Sequence, residues 1–209
     1  VQLGSQAVRQ FELDLHRRVD GGFEVFHLPV IDPETVCRAL EDCLRGVLEW
    51  SDAHPRHLPI LVWFETKDEI DFGDHRRMEP ADLFEIEAAI TSVWPRARVF
   101  TPDDLRGAHP DLPTAIATDG WPTLGALRGK IIFSLLDAGT HRGWYLEGAP
   151  NLAGRLYFVD SDSPADPFAA FFKINNARSS AERIRGLLAA GFITTSNVDS
   201  ADADDADNV

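Results

Sequence analysis

The sequence predicts an α/β protein in which strands and helices alternate and the strands form a parallel βα barrel. Apolar runs of strand length recur along the chain, as in LPILVWFE at 58–65 and KIIFSLLD at 130–137. Segments with helical periodicity lie between such runs, including 33–53 and a helix that begins at Pro80. Polar residues follow the strands at their carboxyl ends, where parallel α/β proteins bind ligands. A barrel explains that placement best.

The remaining elements follow from local patterns in chain order. Residues 10–16 alternate apolar and polar side chains, which predicts the first strand. The DGG turn signal at 20–22, followed by the extended phrase FEVFHLP, predicts a hairpin-like excursion over 12–28. A last helix should begin after Ser179 and end near Gly191. The GTHRGWY segment is expected to be an exposed loop that could meet an interface. Further strands are expected at 97–105, 155–162 and 191–197.

Length and charge narrow the class of protein. A chain of 209 residues can form one domain with a sizeable core. Its net charge of -14 argues against binding to nucleic acid, which requires a basic surface. No apolar stretch of about 18 residues is present to form a membrane span. We therefore predict a partial βα-barrel catalytic domain over 1–196 and an acidic, disordered tail over 197–209.

The two cysteines, Cys37 and Cys43, leave two alternatives open. Within one continuous helix they would lie too far apart to bond, because bonded Cα atoms approach within about 7 Å. If Cys37 precedes the helix, a disulfide becomes possible. The spacing contains no CxxC motif, so a thiolate metal site is not expected.

Two carboxylates on the first strand indicate a metal site. Glu12 and Asp14 share one face because strand side chains alternate with period two. Carboxylates held together repel each other unless a cation lies between them, and oxygen ligands favour calcium or magnesium. Glu65, at the end of another strand, could add a third carboxylate, and His27 could transfer a proton nearby. The alternative is a charged strand end with a packed histidine, since this carboxylate spacing is common.

The order of these residues also resembles a known family. The order is Glu12-Leu13-Asp14, then Phe26-His27, then Phe64-Glu65 after an apolar strand. It is similar to the order found in the calcium-dependent phosphoinositide phospholipase C family, especially in its secreted bacterial and fungal branch. Longer phrases carry the resemblance over nearly the whole chain to about Phe192, among them RQFELDLH, VFTPDDLRG, GWPTLGALRGKIIFSLL and LAGRLYFVD.

The resemblance implies a TIM-type barrel that cleaves the phosphodiester of phosphatidylinositol-type lipids in a calcium-dependent reaction. It implies a secreted protein that acts at a membrane surface and has no obligate protein partner. By position, the calcium ligands would be Glu12, Asp14 and Glu65. The catalytic residues would be His27 and Glu12, and the contacts to the substrate's phosphate would be Lys67 and Lys130.

Two features depart from the family pattern. The chain is expected to hold about six of the eight units of a complete barrel. The first unit, with the family's first catalytic histidine, and the last unit are expected to be missing. Thr195 and Ser196 stand where the family favours an arginine-bearing strand end. The alternatives are a glycerophosphodiester phosphodiesterase, which shares the barrel, and a non-catalytic module that binds a lipid head group.

Overall fold

Parallel strands form the centre of the molecule. The computed structural model describes residues 2–27, 35–68 and 73–196. In the main sheet four parallel strands pair in the order β1 (Gln10–Arg18), β3 (Ile60–Thr66), β5 (Ile131–Leu135) and β6 (Phe158–Val159). A second sheet pairs β7 (Phe171–Lys173) with β8 (Ile193–Thr195), also in parallel, and one bridge from Asp160 to Phe171 links the two sheets. Six parallel strands are thus present among the described residues, and their number matches the predicted number of units. Phe171–Lys173 is not among the predicted strands, whereas the strand expected at 97–105 does not form.

Two short antiparallel strands extend β1 at its carboxyl end. They are β2 (Phe23–Val25), which pairs Leu15 with Val25, and β4 (His75–Arg76). The β1–β2 pairing forms the predicted hairpin-like excursion, because the chain turns back through Gly21 and Gly22, both at positive φ.

Helices connect the parallel strands, except that turns alone lead from β6 to β7. In chain order they are Leu40–Ala53 (α1), Pro80–Val93 (α2), Pro102–Arg106 (α3), Leu112–Thr118 (α4), Thr140–Leu146 (α5) and Ala181–Ala189 (α6), with a 3-10 turn at Arg96–Arg98. The α2 helix begins at Pro80 as predicted, with a capping box between Glu79 and Asp82. In the described part of the chain, no helix has the length and apolar character needed to cross a membrane.

The strands curve so that β8 comes back towards β1. The Gln10 side-chain amide donates a hydrogen bond to the Thr195 hydroxyl. The Trp63 ring on β3 meets the Phe171 ring on β7 edge-on, with ring centroids 5.8 Å apart. These contacts join side chains of opposite strands across the concave face of an arc. Within the described segments no backbone pairing joins β1 to β8, so the strands form an arc and not a closed barrel.

The prediction of a strand at 97–105 is wrong. Only Val99 pairs, through a single bridge to Ile131, and the chain then enters α3. The cause is local. The Thr101 hydroxyl accepts from the Asp104 N–H, the Asp104 side chain accepts from the Thr101 N–H, and Pro102 suits the first helical turn.

The GTHRGWY segment is also not an exposed loop. It lies largely within α5, and Tyr145 is fully buried. Its ring stacks on that of Tyr157 with centroids 3.9 Å apart, and its hydroxyl donates to the Glu87 carboxylate. A buried partner for the tyrosine hydroxyl makes this packing favourable.

The two cysteines form a disulfide. The predicted helix over 33–53 begins only at Leu40, so Cys37 precedes it, while residues 28–34 lie outside the described part of the chain. The Cα atoms of Cys37 and Cys43 are 5.1 Å apart, within the usual range for a bonded pair. This bond fixes the segment that enters α1.

A buried ion cluster joins α2 to the first strand. Asp82, with a side chain only 1% exposed, forms an ion pair with Arg17, whose Nε lies 2.8 Å from Oδ1, and accepts a hydrogen bond from Arg76 Nη1 at 2.7 Å. The Glu79 N–H donates to the same carboxylate. Burial alone would raise the pKa of Asp82, but the hydrogen bonds from Arg76 and Glu79 outweigh it and lower the pKa.

We predict that Asp82→Asn lowers the free energy of unfolding by about 3–5 kcal/mol, because it leaves the buried Arg17 guanidinium beside a neutral amide. Urea unfolding followed by circular dichroism measures this. Glu85→Gln is the matched control: Glu85 pairs with the same arginine but its side chain is 50% exposed, so the loss should stay below about 1 kcal/mol. Equal losses in the two variants would contradict the role assigned to the buried pair.

Candidate active site

The register between β1 and β3 assembles the acidic site. Asp14 lies directly opposite Glu65, and Glu12 lies opposite Trp63. Because side chains alternate along a strand, Glu12 and Asp14 share the face that carries Glu65. This is the concave face of the arc, near the carboxyl ends of both strands.

The predicted calcium ligands converge at one point. Glu12, Asp14 and Glu65 each offer a carboxylate oxygen, and these oxygens lie within 4.8 Å of one another. Ligand oxygens bind calcium at about 2.3–2.6 Å, so a single ion can reach oxygens at this spacing. The donor set and the spacing therefore fit calcium.

The electrostatics of the cluster show an excess of negative charge. Burial, reinforced by the neighbouring Glu65 carboxylate, raises the pKa of Asp14 to about 6. Burial also raises the pKa of Glu12. For Glu65 burial acts in the same direction, but hydrogen bonds, first that from Lys67, outweigh it and lower the pKa. Burial and the contact between neighbouring carboxylates both disfavour the ionised form of Asp14, and a bound cation would offset both effects.

Two lysines contact the carboxylates. The Lys67 ammonium lies 2.7 Å from Glu65 Oε2 and 3.1 Å from Asp14 Oδ1. The Lys173 ammonium lies 3.5 Å from Glu12 Oε2. Lys67 was expected near the site, whereas Lys173 is an addition. The sequence signal for Lys173 was a lysine directly after the apolar run PFAAFF, where a strand would end at the mouth of the barrel.

His27 lines a cavity together with two of the three carboxylates, Glu12 and Asp14. The Phe26 N–H donates to the Asp14 carbonyl at 3.3 Å, and the Phe26 ring stacks on His16 of β1 with centroids 3.8 Å apart. These contacts hold the excursion against β1. The exposed His27 then borders, with Glu12 and Asp14, a cavity of about 700 Å³.

Lys130 does not join this group. It directly precedes β5, in which Ile131 pairs with Ile60 at the amino end of β3. Glu65 lies five residues further along β3, roughly 16 Å away at about 3.3 Å per residue. The Lys130 ammonium instead donates to the Ala97 carbonyl. The expectation that Lys130 lies near the metal is therefore corrected by its position at the opposite end of the strand.

A histidine held between two carboxylates lies at the carboxyl end of β3. His141 Nε2 is 2.9 Å from Asp68 Oδ2, and Nδ1 is 3.1 Å from Asp137 Oδ2. Nδ1 also lies 2.7 Å from the Thr66 hydroxyl, at the end of β3. A neutral imidazole has one donor, so only the protonated ring can donate to both carboxylates. The bond to Asp137 is the main cause of a raised pKa for His141.

The arc of parallel strands, with an acidic cluster at their carboxyl ends, defines an α/β protein of the barrel class with a site suited to a divalent cation. A family model described as Phosphoinositide phospholipase C, Ca2+-dependent, matches residues 19–208. The chain belongs to this family, which confirms the resemblance found in the sequence. His27, Glu65, Lys67 and Lys173 lie within the match, whereas Glu12 and Asp14 precede it. No curated protein matches the chain by sequence.

Solved structures of bacterial enzymes share the fold. A Ca2+-dependent phosphatidylinositol-specific phospholipase C from Streptomyces antibioticus is 23% identical with a TM-score of 0.63, over 82% of this chain and 67% of that chain. A calcium-dependent phosphoinositol-specific phospholipase C from a Pseudomonas species, in apo form, is 20% identical with a TM-score of 0.65, over 91% and 80%. A myoinositol complex of the Pseudomonas enzyme is 23% identical with a TM-score of 0.68, over 90% and 73%. These similarities confirm the predicted α/β fold.

The His141 contacts lead to a pH-dependent prediction. Because the pKa of His141 is raised in the folded protein, its contribution to stability is full below the unfolded value of about 6.5 and is lost as pH rises through the folded value. His141→Gln should therefore reduce the free energy of unfolding more at about pH 5.5 than at about pH 8.5. Urea unfolding of wild type and of His141→Gln at each pH gives the difference in the free energy of unfolding. Titrating groups that do not contact His141 contribute equally to both proteins and cancel in that difference. His54→Gln is the control, because His54 is exposed and bonds to the Trp50 carbonyl. A loss for His141→Gln that does not vary with pH would show a neutral ring in the folded state.

Proposed function

We propose that this protein cleaves the phosphodiester bond of phosphatidylinositol-type lipids in a calcium-dependent reaction, with the inositol hydroxyl beside the phosphate as the nucleophile. The observation that carries the proposal is the convergence of Glu12, Asp14 and Glu65 within 4.8 Å, in a chain of this family. An internal nucleophile needs little further positioning, because the substrate itself holds it near the phosphorus.

Calcium would be held by Glu12, Asp14 and Glu65. When bound, it supplies positive charge that lowers the pKa of the inositol hydroxyl and stabilises negative charge on the phosphate. The partial exposure of Glu12 and Glu65, with side chains 35% exposed, leaves the cluster accessible to a substrate from the mouth of the arc.

The residues of the chain would move the protons. Glu12 accepts the proton of the attacking hydroxyl, whose oxygen then forms the new bond to phosphorus. The bond from phosphorus to the glycerol oxygen breaks, and protonated His27 donates a proton to that oxygen. The products are a diacylglycerol and an inositol phosphate in which the phosphate is closed into a ring. Lys67 contacts the phosphate as a point charge.

The location and partners follow from the substrate. A phosphoinositide lies in a bilayer, so the protein would act at a membrane surface, and the resemblance to the secreted branch supports an extracellular location. The catalytic unit would span 1–196, while the tail at 197–209 lies outside the described residues.

One assay separates this function from the alternatives. Full-length protein is incubated with vesicles containing phosphatidylinositol, or with soluble glycerophosphoinositol, in calcium or in excess chelator. The proposed function requires calcium-dependent release of inositol phosphate from the vesicles. Faster hydrolysis of the glycerophosphodiester would favour the phosphodiesterase alternative, and vesicle binding without hydrolysis would favour a binding module.

We predict that Glu12→Gln weakens calcium binding by more than about 10-fold and lowers turnover together with it, because the residue is assigned both roles. Isothermal titration calorimetry measures the first effect and the vesicle assay the second. Glu49→Gln, which neutralises an exposed carboxylate on α1, should change neither. Calcium affinity that survives Glu12→Gln would remove Glu12 from the ligand set.

His27→Ala should lower turnover of phosphatidylinositol by roughly 100-fold or more, the usual scale for loss of a positioned acid or base. Calcium affinity should stay within about 2-fold, because His27 is not assigned as a ligand. His109→Ala is the control, since His109 pairs with Asp119 away from the cavity. If turnover persists in folded, calcium-loaded His27→Ala protein, the histidine has a structural role only.

A further inference from the structure

Two of the chain's lysines partly neutralise the negative charge of the carboxylate cluster. Three carboxylates face two ammonium groups, so one negative charge is left without a partner in the cluster. Both lysine side chains are less than one-fifth exposed, at 16% for Lys67 and 18% for Lys173. Partly buried ion pairs of this kind are screened less by salt than surface pairs.

The lysines approach the cluster from different strands. Lys67 follows β3 and meets Asp14 and Glu65, whereas Lys173 ends β7 and meets Glu12. The backbone is fixed at both positions. The Lys67 N–H donates to the Leu15 carbonyl, and the Lys173 N–H donates to Asp160 Oδ1 at 2.7 Å. A rearrangement therefore requires only the flexible four-carbon side chains to move.

Resting on the proposed function, we propose that Lys67 and Lys173 act as exchangeable counter-cations: they pair with the carboxylates until calcium binds, and then contact the phosphate of the substrate. Lys173 is thereby assigned as a second phosphate-binding residue for the reaction. Calcium would be held by the same three carboxylates that the ammonium groups contact, and its double charge would repel both groups. A substrate phosphate at the mouth would give the displaced ammonium groups a new partner, which the two lysines would contact from two sides.

This exchange couples the two ligands. In the calcium-free protein the lysines compete with the metal, so calcium affinity is held below what three carboxylates could give. A phosphate ligand removes that competition and tightens calcium binding. By linkage, calcium must tighten binding of the phosphate ligand by the same factor.

The test uses the third lysine of the chain, Lys130, as a matched control. Calcium dissociation constants are measured by isothermal titration calorimetry for full-length wild type, Lys173→Met, Lys173→Arg and Lys130→Met. Each protein is titrated alone, with myo-inositol 1-phosphate, with inorganic phosphate and with uncharged myo-inositol. Melting temperatures with and without calcium give a second readout and report whether each variant folds.

The phosphate ester should tighten calcium binding to wild type by about 5-fold or more, within the usual range of coupling, and myo-inositol should not. Lys173→Met should bind calcium more tightly than wild type in the absence of phosphate and should lose much of the coupling. Its melting temperature should also rise more on calcium addition. Lys173→Arg should keep the coupling, and Lys130→Met should match wild type. If inorganic phosphate tightens calcium binding as much as the ester does, the phosphate group alone accounts for the coupling. If the ester has the larger effect, contacts to the inositol ring also contribute to the coupling.

Unchanged or weaker calcium affinity in folded Lys173→Met, with the coupling intact, would overturn the exchange while leaving the proposed function in place. Wild-type protein that neither binds calcium nor hydrolyses phosphatidylinositol would instead overturn the function, and the exchange with it.

Discussion

The parallel register of β1 against β3 is the constraint on which the site depends. It sets Asp14 opposite Glu65, and the period of the strand then brings Glu12 onto the same face. A slip of one residue would turn the carboxylates of one strand towards the helices and bring its apolar side chains into the mouth. The buried Leu13 and Leu15 oppose such a slip, because they would lose their place in the core. The hydrophobic pattern that folds the first strand thus also fixes the geometry of the charges.

Charge and apolar packing occupy successive levels of the concave face. Asp14, Glu65 and Lys173 lie nearest the carboxyl ends of their strands, and aromatic rings lie one alternation below, where Trp63 meets Phe171. Rings at the lower level exclude water beneath the carboxylates. Reduced solvation strengthens the interaction of a cation with these groups, and it is also the main cause of the raised pKa of Asp14, to which the neighbouring Glu65 carboxylate adds. The same environment therefore destabilises the three ionised carboxylates when no cation is bound, and it stabilises them when a cation lies between them.

The sequence predicts the longer strands and the carboxylates well, because each rests on a pattern within a few residues. The strand Ile60–Thr66 is marked by a continuous apolar run, and the helix Pro80–Val93 is equally well predicted because Pro80 marks its first turn. The strand expected at 97–105 failed because the capping pair of Thr101 and Asp104 outweighs the strand propensity of its apolar residues. Lysines were harder to assign. Lys130 precedes the apolar run of its strand whereas Lys173 follows one, and only the lysine that follows its strand reaches the carboxyl ends, where the carboxylates lie. Contact between Lys173 and Glu12 spans 161 residues and leaves no local signature.

The aromatic contacts beneath the carboxylates have a consequence for the order of events during turnover. The Phe171 ring meets both Trp63 and Trp121, at 5.8 Å and 5.4 Å, so the end of the arc opposite the mouth is occupied by packed rings. With that end filled by rings, substrate and product bind at the mouth. The departing inositol product and the next lipid would compete there for the same cations, because both carry the phosphate that those cations contact. Departure of the product, more than the bond-breaking step, would then set how soon a second lipid can be engaged.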